Sequence, residues 1–113
     1  MKKIPFCKYH ANGNDFIIIS SRNLDIKHCK SLLISRLCNR RVGIGADGLI
    51  IVSPSDKYDF FIDYYNSDGG WETFCANGSR CVVKSQMGMK NSNNSLQFES
   101  GTTVHSYKIN SDG

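Results

Sequence analysis

An α+β fold is predicted from three observations. Short apolar runs rich in β-branched residues recur along the chain, two segments show helical apolar spacing, and those two segments lie between strand candidates. The 113 residues suit one small domain with a modest core, and their aromatic and β-branched content is enough to offset the ordering entropy.

Taken in order, residues 4–9 are predicted as a first strand, ended by the polar stretch His10-Ala11-Asn12-Gly13-Asn14. Asp15 then opens Phe16-Ile17-Ile18-Ile19, a buried strand. A helix is predicted over 27–39. Cys29, Leu33 and Leu37 recur every four residues, with Ile34 and Cys38 beside them. Arg36, Arg40 and Arg41 lie near its C-terminal end, where cations suit the dipole, and Gly43 serves as its stop. Leu49-Ile50-Ile51-Val52 is another buried strand, closed by Pro54. Residues 58–66 form a longer one, with Phe60, Ile62 and Tyr64 on one face and Asp59 and Asp63 on the other. Asn66-Ser67-Asp68-Gly69-Gly70 is a turn. A second helix runs from near Asn77 to about Met87, with Gly88 as its end signal. After a polar loop over 89–95, residues 96–100 and 102–109 make a hairpin around Gly101. The chain stops just past that strand, where a chain turns, so truncation is expected.

Composition removes several function classes. The net charge of +4 is mild, and the basic residues are spread out apart from Arg40-Arg41, so a nucleic-acid stripe is not expected. No apolar run approaches the ~20 residues that span a bilayer, and no signal-peptide core follows the basic start. The five cysteines (Cys7, Cys29, Cys38, Cys75, Cys81) form no C-x-x-C pair and are read as free thiols of a reducing cytoplasm. No cysteine and histidine share a zinc spacing, so no metal is expected. Gly43-Ile44-Gly45-Ala46-Asp47-Gly48 matches a dinucleotide fingerprint in letters only. It follows a helix and enters a strand, the reverse of what that site requires.

The stretch that carries chemistry is Phe74-Cys75-Ala76-Asn77-Gly78-Ser79-Arg80. A thiol at a helix start meets unpaired N–H groups and the positive end of the dipole, which favour thiolate over thiol. The same N–H groups can hold a carboxylate. Together they suit removal of a proton next to a carboxylate. A buried structural cysteine is the alternative, and this local chemistry leaves the two about even.

Four motifs occur in order: His10-Ala11-Asn12-Gly13-Asn14-Asp15-Phe16, Arg41-Val42-Gly43-Ile44-Gly45-Ala46-Asp47-Gly48-Leu49-Ile50, Tyr65-Asn66-Ser67-Asp68-Gly69, and Phe74-Cys75-Ala76-Asn77-Gly78-Ser79-Arg80-Cys81. Their order and spacing resemble those of the diaminopimelate epimerases. The resemblance implies a strand-rich, barrel-like half-domain around a central helix, with residues 1–113 as the N-terminal half of a two-domain enzyme. It implies cofactor-independent interconversion of LL- and meso-diaminopimelate, on the route to lysine and peptidoglycan precursors, by one cysteine from each half. It places the catalytic cysteine at Cys75 and substrate binding at Asn14, Asn66, Ala76 and Asn77. The implied partners are a small amino-acid substrate and the missing C-terminal half with its own cysteine, with a homodimer left open. Family members often use a residue at the position of Gly48, which has no side chain to offer here, so it is left out of the site. Two positions depart from the family's usual pattern: Ala76 stands where glycine is usual, and Trp71 is placed near the site. A racemase of another amino acid on the same fold, or a half-site binding module without catalysis, are the alternatives.

Overall fold

The structure is a computed structural model that describes residues 4–23, 31–72, 75–87 and 95–108. In chain order these form β1 (Cys7–Ala11), β2 (Asn14–Ser20), α1 (Ser31–Cys38), β3 (Gly48–Ser53), β4 (Phe60–Asn66), β5 (Trp71–Glu72), α2 (Ala76–Met87), β6 (Ser95–Ser100) and β7 (Thr103–Lys108). All seven strands join one mixed sheet in the order β1-β2-β3-β4-β6-β7, with β5 paired to β4 outside that path. The α+β, strand-rich reading holds.

The first hairpin differs in register from the sequence reading. β1 begins at Cys7 and runs to Ala11, so His10 and Ala11 belong to the strand. Only Asn12 and Gly13 turn, at φ 55° and 80°. Two successive positive φ angles make the mirror-image turn whose twist matches paired strands, and Asn-Gly is its preferred sequence. The remaining boundary differences are smaller. β4 starts at Phe60 instead of Tyr58, β6 starts at Ser95, and β5 has no counterpart among the predicted elements. The first four residues of the predicted 27–39 helix, with Cys29, lie outside the described residues, as do Gly88, most of the 89–95 loop and Ile109.

β2 pairs parallel with β3 through α1, and β4 pairs parallel with β6 through α2. β3 and β4 are antiparallel. Crossovers between parallel strands are right-handed in nearly all folds. Strand direction reverses between β3 and β4, so two right-handed crossovers must place their helices on opposite faces. The packing agrees. One core gathers Phe16, Ile18, Ile50, Val52, Phe60, Ile62, Leu96 and Phe98 of the sheet around Cys81, Val82 and Val83 of α2. The other gathers Ile17, Ile19, Leu49 and Ile51 around Ile34 and Cys38 of α1. β2 and β3 therefore need apolar residues on both sides, which explains their unbroken runs. β4 is buried only at alternate positions, as its Phe60, Ile62, Tyr64 pattern implies.

α1 rotates away from the predicted face. Its buried residues are Ile34 and Cys38, Leu37 is half-buried, and Leu33 is exposed. The helix ends at Cys38, before the predicted stop. The carbonyls of Leu37 and Cys38 accept from the N–H groups of Gly45 and Ala46, at 3.0 Å each. Gly43 lies past the helix against the Arg36 carbonyl, where no Cβ fits.

Phe98 anchors the α2 face. It is fully buried, stacked on Phe60 at 5.0 Å and on Tyr107 at 5.6 Å. Phe98→Ala is expected to cost about 3–5 kcal/mol in urea unfolding. A loss below about 1 kcal/mol, the scale of an exposed substitution, would contradict this account of the core.

Candidate active site

Strand register brings the candidate residues to one end of the sheet. β2 and β3 begin there and β4 ends there, with Phe16 opposite Gly48 and Gly48 opposite Asn66. Side chains alternate along strands, so Asn14 shares the Phe16 face and Asn66 shares the Tyr64 face. These are the same face, the one that packs α2. Glu72 of β5 lies opposite Tyr64 and joins it.

The start of α2 sits over that end. Cys75 immediately precedes the helix, and its carbonyl accepts the first helical hydrogen bond from Ser79 N–H at 2.9 Å. Its sulfur accepts from Gly78 N–H at 3.5 Å, so the thiol occupies the place of an N-cap side chain. Gly78 allows the helix to come this close. A Cβ there would stand 3.1 Å from Ile50 Cδ1 and 3.5 Å from the Phe16 ring. Ala76 enters the helix without a positive φ, since Asn12 is the sole non-glycine with one among the described residues. Alanine therefore keeps the backbone N–H in place without strain. Asn77 Oδ1 accepts from Asn12 Nδ2 at 3.4 Å, tying the first hairpin turn to the helix start.

Asn66 is fixed on three sides. Its N–H donates to Gly70 O at 2.8 Å, its carbonyl accepts from Gly69 N–H at 2.9 Å, and its Nδ2 donates to Glu72 Oε1 at 2.9 Å. Sequence reasoning missed Glu72, because the short β5 has no strand-like run to announce it. Trp71 has the opposite fate from the expected one. It pairs with Tyr65 and points to the other face, where its Nε1 donates to Asp63 at 3.1 Å. Burial pushes the Asp63 carboxyl up, and the Trp71 bond partly offsets this.

The remaining described thiols are of two kinds. Cys7 is exposed on β1, whereas Cys38 and Cys81 are buried. Burial pushes the Cys38 thiol up to about 11. Burial, then the nearby Cys75, pushes Cys81 up as well. Cys75 is half-buried at the helix start. Among the described residues no group of three or more His, Cys, Asp or Glu side chains could hold a metal ion.

The Asp15–Asp47 clamp holds this sheet end from the other side. Asp15 N–H donates to Asp47 Oδ2 at 3.2 Å, and Asp47 N–H donates to Asp15 Oδ1 at 3.0 Å. Arg40 grips the Asp15 carboxylate with both guanidinium arms, at 2.8 and 3.2 Å, and Lys8 lies 3.1 Å from it. Asp15 thus faces α1 while its neighbour Asn14 faces α2.

The structure thus sets a thiol at a helix start above the sheet end that carries Asn14 and Asn66. The sequence model described as Diaminopimelate epimerase matches residues 6–112. The chain belongs to the diaminopimelate epimerase family. A diaminopimelate epimerase of Campylobacter jejuni (strain 81-176) is 43% identical over 109 residues, 96% of this chain and 43% of that protein. The Flavobacterium psychrophilum diaminopimelate epimerase is 50% identical over 76 residues, 67% of this chain and 30% of that protein. The chain thus spans less than half the length of these relatives. Two solved structures share the fold at low identity. A Bacillus anthracis phenazine biosynthesis protein of the PhzF family aligns over 100% of this chain and 38% of its own, at TM-score 0.74 and 19% identity. A methylitaconate-delta-isomerase aligns over 96% and 35%, at TM-score 0.73 and 14% identity.

The clamp makes this family member acid-sensitive in a defined direction. The Arg40 guanidinium holds the Asp15 carboxyl well below the usual carboxylate range, against a smaller opposing effect of burial. A folded-state pKa below the unfolded value of about 3.9 adds stability that is complete above that value. The contribution is lost as pH falls from there through the folded pKa. Urea unfolding midpoints should therefore drop below about pH 4, and Asp15→Asn should flatten that acid limb. An unchanged limb in Asp15→Asn would place the acid sensitivity elsewhere.

Proposed function

We propose that this chain is the N-terminal half of a diaminopimelate epimerase and supplies Cys75 as one of two proton-transferring cysteines. The observation that carries the reading is Cys75 at the start of α2, with Asn14, Asn66 and Asn77 at the same sheet end. The second cysteine comes from a C-terminal half, and the substrate lies between them.

The proposed chemistry interconverts LL- and meso-2,6-diaminopimelate without a cofactor. The Cys75 thiolate takes the α-proton and becomes a thiol. The electron pair left on the α-carbon spreads into the adjacent carboxylate. The thiol of the other half then gives a proton to the opposite face, inverting the centre. In the reverse direction the two cysteines exchange roles. Gly78 and Ser79 N–H groups are committed to Cys75, which leaves those of Ala76 and Asn77 for the substrate carboxylate. N–H groups at a helix start stabilise the charge that builds there. Asn14 and Asn66 then bind the polar groups of the substrate. The reaction belongs to lysine and peptidoglycan precursor synthesis in the cytoplasm. No helix among the described residues is long and apolar enough to cross a membrane.

The test uses the protein containing this chain and its C-terminal half, in deuterated water. Deuterium should enter diaminopimelate at its α-carbon as LL- and meso-forms interconvert. Cys75→Ala should slow this by about 10²–10⁴-fold, the usual worth of a positioned base. The 113-residue chain alone should not racemise. Full activity in Cys75→Ala, or racemisation by the isolated chain, would sink the two-cysteine reading. Exchange with another amino acid but not with diaminopimelate would favour a racemase on the same fold. Binding without exchange would favour a half-site binding module.

A further inference from the structure

We propose that Glu72 is a positioning residue for Asn66: its carboxylate takes the nitrogen of the Asn66 amide and so leaves the amide oxygen to the substrate. The proposal rests on the reading of Asn66 as a substrate-binding residue.

The bond between the two is direct. Asn66 Nδ2 donates to Glu72 Oε1 at 2.9 Å, across β4 and β5. A carboxylate oxygen accepts and does not donate, so it can hold an amide only by its nitrogen. Glu72 therefore decides which way round the Asn66 amide stands. With the nitrogen engaged, Oδ1 is the end left over. Among the described residues nothing donates to Oδ1. On the β3 side Gly48 stands opposite Asn66 and has no side chain that could do so. An acceptor held in one place suits a donor on the ligand. On an amino-acid substrate that donor is the ammonium group, because the carboxylate brings only acceptors.

β5 is fastened so as to keep Glu72 there. It is two residues long, and each side chain is tied to β4 on a different face. Trp71 stands opposite Tyr65 and its Nε1 donates to Asp63 at 3.1 Å. Glu72 stands opposite Tyr64 and reaches Asn66. The turn before β5 is pinned as well. Asn66 N–H donates to Gly70 O at 2.8 Å, and Gly70 N–H donates to Asp68 Oδ1 at 2.7 Å. Among the described residues no lysine or arginine pairs with Glu72, unlike Asp15 and Asp47 on the other face. The Asn66–Glu72 bond is exposed, so it adds little to folding. Its consequence lies in how it sets the amide.

The experiment is a double-mutant cycle on the protein containing this chain and its C-terminal half. Deuterium exchange into diaminopimelate is followed against substrate concentration. Asn66 binds the substrate before and during proton transfer alike, so a misplaced amide raises KM and spares kcat. Glu72→Ala should raise KM about tenfold, with kcat within about twofold of the native value. Asn66→Ala should raise KM at least as far, and the double variant should match Asn66→Ala alone. Glu72→Gln keeps the reach and an acceptor, and should bring KM back to within about threefold of native. An unchanged KM in Glu72→Ala overturns the proposal. So do effects of Glu72→Ala and Asn66→Ala that multiply in the double variant, since Glu72 would then act apart from Asn66. A Glu72→Gln as impaired as Glu72→Ala also overturns it, and assigns the effect to the charge of the carboxylate. A native protein that exchanges nothing into diaminopimelate fails the epimerase assignment itself. An active native protein with an indifferent Glu72 fails this proposal alone.

Discussion

Two adjacent parallel strands with both faces covered impose the main constraint on this fold. β2 and β3 run side by side, and each buries four or more consecutive residues. A parallel pair cannot close with a tight turn, so α1 must cross over one face. The next parallel pair, β4 and β6, needs α2, and the reversal between β3 and β4 sends that helix to the other face. Once β2 and β3 are paired, the sides of both helices follow. The reciprocal bonds between Asp15 and Asp47 sit where these two strands begin and hold their register. A slip by one residue would exchange the two cores.

The candidate site is a product of that register. Asn14, Asn66 and Cys75 come from separate elements and share one end of the fold because β2, β3 and β4 place the relevant ends together under the start of α2. The two faces divide the labour at adjacent residues. Asp15 is bound by Arg40 and Lys8 on the α1 side, while Asn14 is presented on the α2 side. Trp71 and Glu72 repeat the division, with Trp71 turned to Asp63 and Glu72 turned to Asn66. This separates a structural side, rich in ion pairs, from a side carrying the amides and the thiol.

Much of this is legible in the sequence, and the gaps have physical reasons. The runs Phe16-Ile17-Ile18-Ile19 and Leu49-Ile50-Ile51-Val52 announce strands buried on both faces, and the alternation through Phe60, Ile62 and Tyr64 announces one buried face. The helix start at Cys75 is visible from its small and polar neighbours. The tight Asn12-Gly13 turn is also written in the sequence, but five polar or small residues in a row hide where the strands end. The α1 face misleads because Leu33 and Leu37 keep the same four-residue spacing as Ile34 and Cys38. Only the neighbouring sheet decides which row turns inward. Glu72 is invisible as a site residue because its importance lies in its bond to Asn66 across β4 and β5, which spacing along the chain does not reveal.

The tie between Asn12 and Asn77 spans 65 positions of sequence. It joins the first hairpin to the start of the helix that crosses between β4 and β6. Contacts of such long range give their stabilisation only after loop closure has been met, so they form late and raise the contact order of the fold. The candidate site is therefore assembled together with the sheet instead of on top of a finished scaffold. Its geometry carries the cooperativity of the whole domain, and loosening a distant part of the core loosens the thiol with it.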